Sequence, residues 1–357
     1  MGETASPTQH AWVLHVDLDQ FIAAVEVMRR PELAGLPIVV GGRGDPTERG
    51  VVSTASYEAR EFGVRSGMPL RTAMKRLEKA PDAVFVAVDK DAYDDASAEV
   101  MEALRSFGLP VEVLGWDEAF MAVETDDPEA FARRVQEGVL DTTGLHCSIG
   151  IGDTKVRAKI ATDFGKPRGT FRLTEENWYD VMGDRPTDAL WGIGSKTAKR
   201  LGTLGITTVR QLAETPAQLL ADAIGPTMGP WYRRLGRGAD TSPVDPTPYV
   251  ARGRSREVTF QQNLDDWAQI AAEARTIALA VADDLHGYGR PATRLTLKVR
   301  YAPFDTRTKS RKLPAATSEP EEIATVIATL VESLDHDRAV RLLGVRAEMQ
   351  DPTTSTP

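Results

Sequence analysis

The sequence predicts an α/β protein of several domains, and three observations support this fold class. Apolar, β-prone runs alternate with helical patterns in the first half of the chain, which is typical of a mixed sheet covered by helices. At 357 residues the chain is long enough for two or more domains with their own cores. A proline-rich stretch without periodicity, 240–253, separates this part from a C-terminal part with several alternating strands.

Two of the predicted strands end on acidic residues. The first leads into Asp17, and the second, about a hundred residues later, leads from Val111 into Asp117 and Glu118. A carboxylate at the end of a buried strand is costly unless it is paired or binds a cation. If the strands are neighbours, the three carboxylates form an all-oxygen site of the kind that Mg²⁺ accepts, and two such ions can clamp the oxygens of a phosphoryl transfer. For either strand alone, an ordinary acidic loop residue is the simpler interpretation.

The remaining elements of this part follow from hydrophobic spacing. Helical spacing predicts helices at Phe21–Arg30, Ser56–Phe62, Gly67–Lys79, Asp91–Phe107, Pro128–Leu140 and Lys155–Phe164. Short apolar runs predict strands at Leu36–Val40, Val51–Ala55, Val84–Val88 and Leu145–Ile151.

The single cysteine, Cys147, lies in the last of these strands and is expected in the core. With one cysteine, a polar N-terminus and no apolar run long enough to span a membrane, a monomeric cytoplasmic protein is expected.

A second group of polar residues suits a polyphosphate. Thr54 ends a predicted strand, and Tyr57 and Arg60 share one face of the helix that follows. A hydroxyl, a phenol and a guanidinium near a helix N-terminus can bind phosphate oxygens together. Lys166, at the end of a later helix, is a further candidate ligand. The alternatives are a solvated arginine beside a half-buried tyrosine, and a lysine that only complements the helix dipole.

Residues 190–212 match a helix-hairpin-helix motif, centred on Gly192-Ile193-Gly194. Glycines there let backbone N–H groups approach a nucleic-acid phosphate without sequence preference, and Lys196 follows directly. A hairpin used only for packing is the alternative. The net charge of −9 argues mildly against a nucleic-acid partner.

The C-terminal part carries a local excess of basic residues that suits contact with a nucleic-acid backbone. Residues 251–312 contain twelve Lys/Arg against seven Asp/Glu. Alternation predicts strands at Arg254–Phe260, Arg294–Tyr301 and Val340–Ala347, with a shorter one at Ser310–Pro314. Helices fit Leu264–Leu285 and Pro320–Leu334. Basic residues at alternate positions can line one sheet face, and these are Arg254 and Arg256, or Arg294, Lys298 and Arg300. A solvated sheet face is the alternative.

Together these stretches resemble the DinB-type Y-family (translesion) DNA polymerases over nearly the whole chain, from Trp12 to Met349. The resemblance rests on several motifs in the right order, namely Asp17-Leu18-Asp19-Gln20-Phe21, Ser56–Val64 with Gly67-Met68-Pro69, Asp117-Glu118-Ala119, Ser148–Ile151 with Lys155, Ala158-Lys159 and Lys166-Pro167, Gly192-Ile193-Gly194, and Arg341–Val345.

The resemblance implies the right-hand polymerase architecture with a C-terminal little finger. The expected domains are a palm at 1–28 and 87–173, fingers at 29–86, a helix-hairpin-helix thumb at 174–240, a linker at 241–253, a little finger at 254–350 and a tail at 351–357. DNA would be contacted by Gly192, Gly194, Lys196, Arg254, Arg256, Arg294, Lys298 and Arg300.

The same resemblance implies template-directed nucleotidyl transfer to a primer 3′-OH. Primer-template DNA and dNTPs would be the partners, and two Mg²⁺ or Mn²⁺ ions the cofactors. Asp17, Asp117 and the Leu18 carbonyl would hold one ion, and Asp17, Asp117 and Glu118 the other. The nucleotide would be bound by Gln20, Phe21, Ile22, Ser53, Thr54, Tyr57, Arg60 and Lys166. Contacts that follow the DNA backbone suit damaged templates and low fidelity.

Two departures from the family pattern bear on function. The position five after Asp17 is usually Tyr or Phe, a steric gate against a ribose 2′-OH, whereas Ile22 stands here, so rNTPs are also expected as substrates. The tail 350–357 has no apolar anchor for a sliding clamp, which argues against clamp binding through it and for low processivity. A non-catalytic DNA-binding scaffold is the alternative function, but it gives no reason for the carboxylates and the phosphate-binding residues to occur together.

Overall fold

Two compact units make up the fold in the computed structural model, which describes residues 10–352. The first unit comprises the chain up to Gly44 together with Ser53–Ser66 and Arg76–Pro248. The second comprises Asp45–Val52, Gly67–Lys75 and the chain from Tyr249 onward. Most of the predicted tail (353–357) and the polar segment 1–9 lie outside the described residues.

Strands and helices alternate through the first part of the chain, as the apolar spacing predicts. In order they are β1 (Ala11–Leu18), α1 (Phe21–Arg29), β2 (Ile38–Gly41), β3 (Val52–Ala55), α2 (Tyr57–Glu61), α3 (Leu70–Arg76), β4 (Val84–Val86), α4 (Lys90–Arg105), β5 (Val111–Val113), β6 (Glu118–Glu124), α5 (Pro128–Thr143), β7 (Cys147–Gly152), α6 (Lys155–Gly165) and β8 (Thr170–Leu173).

A five-stranded sheet with the order β5-β6-β1-β7-β8 forms the centre of the first unit. Strand β1 lies in the middle and pairs antiparallel with both β6 and β7. Its apolar residues Leu14, Val16 and Leu18 are buried in one cluster with residues of α4 and α5. Cys147 is buried in the same cluster, as predicted, and burial raises the pKa of its thiol to about 12. A smaller sheet, β3-β2-β4, completes this part of the unit.

The prediction that one strand leads from Val111 into Asp117 and Glu118 is wrong. The segment is a hairpin whose strands β5 and β6 pair antiparallel, and residues 114–117 form its turn. The N–H groups of Leu114 and Gly115 both donate to the carbonyl of Glu118, at 3.0 and 3.3 Å. A run of apolar residues does not show by itself where a chain reverses, and the reversal places Asp117 in a turn and Glu118 at the start of β6.

The rest of the first unit is helical. It contains α7 (Trp178–Met182), α8 (Ser195–Gly202), α9 (Val209–Glu214), α10 (Ala217–Ile224) and α11 (Met228–Gly236). The fully buried Trp178 anchors this helical layer, and its indole N–H donates to the carbonyl of Gly236 at 2.8 Å. The layer shares a core with α6 through Val156, Ile160 and Ala161.

The second unit contains a four-stranded antiparallel sheet with the order β11-β10-β12-β9. Its elements are β9 (Gly253–Leu264), α12 (Trp267–Tyr288), β10 (Ala292–Tyr301), β11 (Asp305–Thr317), α13 (Pro320–Glu332) and β12 (Val340–Met349). The helices cover the face formed by Leu295, Leu297 and Val299 of β10.

The predicted short strand Ser310–Pro314 is wrong in length, because β11 has 13 residues. It is an edge strand, and most of its residues are exposed on both faces. A strand with little buried surface does not show the alternation on which sequence prediction depends.

Helix α6 packs unusually close to β7, and two glycines of the strand make this possible. A Cβ atom at Gly150 would lie 2.0 Å from the carbonyl oxygen of Ala158 and 2.4 Å from the amide nitrogen of Thr162. A Cβ atom at Gly152 would lie 2.4 Å from the amide nitrogen of Ala158. Since these are backbone atoms, neither position can accept a side chain without a shift of the helix.

We therefore expect Gly150→Ala to lower the free energy of unfolding by about 1–3 kcal/mol, the usual cost of overpacking a core. Thermal denaturation of the purified variant measures this loss. Gly202→Ala in α8 is the matched control, because a Cβ atom there meets nothing within 4 Å. Equal melting temperatures for the two variants would contradict the close-packing argument.

Candidate metal and nucleotide site

The three predicted carboxylates lie together at one end of the central sheet. Asp17 on β1 is the direct cross-strand partner of Glu118 on β6. Asp117 precedes Glu118 in the turn, and its carbonyl accepts the Leu18 N–H at 2.9 Å. All three carboxylate side chains are half-buried. The pairing of β1 with β6 thus brings together residues that are a hundred positions apart in the sequence.

The electrostatics of this cluster fit a divalent cation. Burial raises the pKa of Asp17 and of Asp117, and the neighbouring Glu118 raises that of Asp117 further. Two lysines supply the positive charge: Lys166 Nζ lies 2.8 Å from Asp17 Oδ1, and Lys159 Nζ forms an ion pair with Glu118. Half-buried carboxylate oxygens that recruit ammonium groups are the donor set that hard cations such as Mg²⁺ prefer.

His15 is the neighbour of this cluster that sequence analysis did not single out. One ring nitrogen of His15 and one oxygen each of Asp17 and Glu118 lie within 4.8 Å of one another, whereas Asp117 is outside this group. His15 is only 1% exposed, and its Nε2 lies 3.2 Å from both Glu118 Oε2 and Lys159 Nζ. Because its ring nitrogens are engaged within the protein, the carboxylates are the better cation ligands.

Helix α6 supplies the residues that orient His15 and Glu118. Thr162 Oγ1 lies 2.8 Å from His15 Nδ1, and Lys159 is one turn earlier on the same helix. The hydrogen bond from His15, together with Lys159, lowers the pKa of Glu118 to about 2. The position of His15 two residues before Asp17, on the same face of the strand, was the available sequence signal.

Asp19 is a second residue that was missed, and it fixes Tyr57, one of the predicted phosphate-binding residues. Its carboxylate is 5% exposed and accepts hydrogen bonds from Tyr57 Oη at 2.6 Å, Ser148 Oγ at 2.9 Å and the Arg168 N–H at 2.9 Å. Burial and the bond to Asp19 raise the pKa of Tyr57, so the phenol stays neutral and keeps its proton. The sequence signal was the second aspartate of the Asp17-Leu18-Asp19 run.

Two other predicted nucleotide ligands, Gln20 and Arg60, contact Tyr57. The Gln20 side chain accepts the Tyr57 N–H at 2.6 Å, which ties the start of α1 to the start of α2. The guanidinium of Arg60 stacks on the Tyr57 ring at 4.9 Å and donates to the Ala55 carbonyl at 2.9 Å. Ser53 and Thr54 are half-buried on β3. The structure thus connects α1, β3 and α2 into one polar surface.

The first turn of α1 begins with Phe21 and Ile22, which are 3% and 7% exposed. Gln20 precedes the helix in the left-handed conformation, with φ 45°. The first N–H groups of a helix have no partner within it, so the amides of this turn are available to an anion. Ile22 is held in the core of the sheet.

In the thumb candidate, the glycine motif precedes a short exposed helix. Gly192 has φ 93°, and Gly194 is the N-cap of α8, where Lys196 is exposed. The element before the motif is a three-residue 3-10 helix, Thr187–Ala189, rather than the expected full helix.

The basic residues of the second unit divide between two faces of its sheet. Arg294, Lys298 and Arg300 lie on the face away from the helices, where Lys298 pairs with Glu257 at 2.8 Å. Arg254 and Arg256 lie on the other face, because β9 pairs them with the buried Ala347 and Val345.

Contacts with α12 engage Arg254 and Arg256 within the unit. Arg256 forms two hydrogen bonds with Asp284, and Arg254 stacks on Tyr288 at 3.6 Å. The structure therefore does not bring the five basic residues onto one surface.

Comparison with known proteins identifies the family of the chain. The model of the impB/mucB/samB family matches residues 16–163, and the model of its C-terminal domain matches residues 253–355. DNA polymerase IV 2 of Mycobacterium tuberculosis is 49% identical to the chain, over 97% of this chain and 99% of that protein. DNA polymerase IV of Methanoculleus marisnigri is 37% identical, over 94% of each chain.

Two solved structures support the same family assignment. A Y-family DNA polymerase chimera of Dbh and Dpo4 has a TM-score of 0.84 at 26% identity, covering 94% of this chain and 98% of that chain. An insertion ternary complex of Dbh DNA polymerase has a TM-score of 0.63 at 26% identity, covering 95% and 98%. No helix among residues 10–352 is long and apolar enough to cross a membrane. The predicted fold class is confirmed, and the chain belongs to the DinB-type Y-family of DNA polymerases.

Proposed function

We propose that this polymerase is a low-fidelity, low-processivity translesion enzyme that adds nucleotides to a primer 3′-OH by a two-metal reaction. The observation that carries the proposal is the adjacency of two sites, the carboxylate cluster around Asp17 and the polar surface around Tyr57. The same short segment, Asp17 to Gln20, contributes to both. A nucleoside triphosphate needs a cation site beside a phosphate site, and the Dbh neighbour is an insertion ternary complex.

The family resemblance suggests the cation ligands, and the carboxylate donors present are of the type that they require. Asp17, Asp117 and the Leu18 carbonyl would hold the ion on the nucleotide side, and Asp17, Asp117 and Glu118 the ion on the primer side. When bound, Mg²⁺ or Mn²⁺ would neutralise the phosphates and activate the primer hydroxyl. Lys166, which pairs with Asp17 in this structure, is close enough to the cluster to turn to a phosphate oxygen once a cation neutralises Asp17.

The protein's own groups do the positioning. Tyr57, fixed by Asp19, donates its phenolic hydrogen to one acceptor at a time, so a phosphate oxygen would replace Asp19 as that acceptor. Arg60 adds a charged donor held against the Tyr57 ring, and Ser53, Thr54 and the first amides of α1 add neutral donors. Preorganised donors of this kind stabilise charge that develops in the transition state.

Ile22 is the proposed steric gate. It lies in the first turn of α1, and its branched side chain is smaller than the Tyr or Phe that the family pattern usually has at this position. A smaller side chain leaves room for a ribose 2′-OH, so we propose that rNTPs are used along with dNTPs. Phe21 would remain as the ring against the sugar.

The basic surfaces would bind primer-template DNA. Gly192, Gly194 and Lys196 are exposed beside α8, and Arg294, Lys298 and Arg300 share the outer sheet face of the second unit. Arg254 and Arg256 are weaker candidates, because their side chains contact α12.

Primer extension on an undamaged template tests the polymerase directly. We expect short products with Mg²⁺ or Mn²⁺ and dNTPs, and a loss of about 10²–10³ in kcat for Asp117→Asn, as for other groups that stabilise transition-state charge. Absence of extension by the wild-type protein would favour a DNA-binding scaffold.

Asp117→Asn also separates function from folding. Without a cation, Asp117 is half-buried beside Glu118, so its charge opposes folding. We expect the melting temperature of the metal-free variant to equal or exceed that of the wild type while extension is lost. A large drop in melting temperature would show that the lost activity reflects misfolding.

Ile22→Phe tests the gate. The wild-type ratio of kcat/KM for dNTP over rNTP is expected to be low, and the variant should raise it by about 10–200-fold, the range for a change in pocket size. Val25→Ile, one turn further along α1, is the matched control and should leave the ratio unchanged. A high wild-type ratio that Phe does not raise would contradict the proposal.

A further inference from the structure

Lys159 joins three groups that belong to different parts of the first unit. Its ammonium forms an ion pair with Glu118, lies 3.2 Å from His15 Nε2, and lies 5.5 Å from the centre of the Trp191 ring. Glu118 belongs to the proposed cation site, whereas Trp191 directly precedes the Gly192 hairpin. One ammonium group therefore contacts both a candidate metal ligand and the proposed DNA-binding hairpin.

Glu118 has a second partner besides Lys159, the imidazole of His15. With the hydrogen on Nε2, His15 donates to the Glu118 carboxylate, and with the hydrogen on Nδ1, it accepts from Lys159. Thr162 Oγ1, 2.8 Å from Nδ1, serves either tautomer because a hydroxyl both donates and accepts. A divalent cation that binds Glu118 therefore has to compete with the ammonium of Lys159 for the same carboxylate.

The indole ring of Trp191 is a second binding position for the Lys159 ammonium. The ring is 45% exposed, and a cation is attracted to an indole face within about 6 Å of its centre. Lys159 already lies inside this distance while it is paired with Glu118. A small rotation of the lysine side chain would therefore release Glu118 without moving the ammonium into an apolar environment.

We propose that Lys159 is a positioning residue, the resident counter-ion of Glu118, and that it moves to the face of Trp191 when a divalent cation binds. The inference rests on the proposed cation site at Asp17, Asp117 and Glu118. Its consequence is that the thumb hairpin and the affinity for the primer-side metal ion are coupled through one ammonium group.

Helix α6 provides a matched control one turn earlier. Lys155 forms an ion pair with Glu112, and its ammonium lies 5.5 Å from the centre of the Phe120 ring. It thus repeats the carboxylate and aromatic contacts of Lys159 on the same helix. Glu112, however, lies in β5 and is not part of the carboxylate cluster.

The test is a titration of the full-length protein with Mn²⁺ alone, in which electron paramagnetic resonance measures the free ion. Lys159→Met removes the competitor, and we expect Mn²⁺ to bind roughly five- to tenfold more tightly, at the lower end of typical coupling between two ligands. Trp191→Leu removes the ring that would bind the displaced ammonium, and Mn²⁺ should bind roughly two- to fivefold more weakly. Lys155→Met should match the wild type.

The double variant separates coupling from a general structural effect. If the ring acts through the ammonium, Trp191→Leu has no effect on Mn²⁺ affinity in a Lys159→Met background. An unchanged or weaker affinity for Lys159→Met overturns the inference, and so does an equal effect of Trp191→Leu in both backgrounds. A wild-type protein that binds no Mn²⁺ would instead overturn the proposed cation site itself. If Lys159→Met does not fold, an unchanged affinity for Trp191→Leu, whose side chain is exposed, overturns the inference.

Discussion

The pairing of β1 between β6 and β7 is the constraint on which the site depends. It places Asp17 opposite Glu118 and beside the turn that carries Asp117. Three half-buried carboxylates at one end of a sheet repel one another, and burial raises the pKa of two of them. The fold offsets this cost with the ammonium groups of Lys159 and Lys166. Repulsion of this kind is tolerated where the carboxylates serve a cation.

Helix α6 is the element that makes the compensation possible. The glycines of β7 let its backbone approach the sheet, and this approach brings Thr162 and Lys159 to His15 and Glu118. Lys166 follows as the C-cap residue of the same helix. A strand with ordinary side chains would hold the helix further away and leave the carboxylates without counter-ions. The sequence Ser-Ile-Gly-Ile-Gly is therefore a requirement of the site as well as of the core.

Sequence patterns predicted the parts of the molecule that depend on local periodicity. The helices α4 and α5 and the strand β10 have a buried face with a regular apolar repeat, whereas β1 and β7 are apolar runs that are largely buried. The hairpin at 114–117 and the exposed edge strand β11 lack such a repeat and were missed or shortened. The division of Arg256 and Lys298 between two sheet faces depends on strand register, which the sequence does not display.

The candidate site was predictable only as a set of motifs, because its contacts join distant positions. His15 meets Glu118 across 103 residues, and Asp19 meets the Arg168 N–H across 149. No spacing rule connects such pairs, so the motifs identified Asp17, Tyr57 and Lys166 but not the residues that hold them.

Asp19 shows why the acidic motif has two aspartates. Asp19 follows the end of β1 at Leu18, and its carboxylate lies beside Ser148, the cross-strand partner of Asp17. Asp17 belongs to the carboxylate cluster, while Asp19 fixes Tyr57, Ser148 and the Arg168 backbone. The end of this one strand thus connects the carboxylate cluster to the polar groups around Tyr57, which are the two sites that the proposed reaction requires side by side.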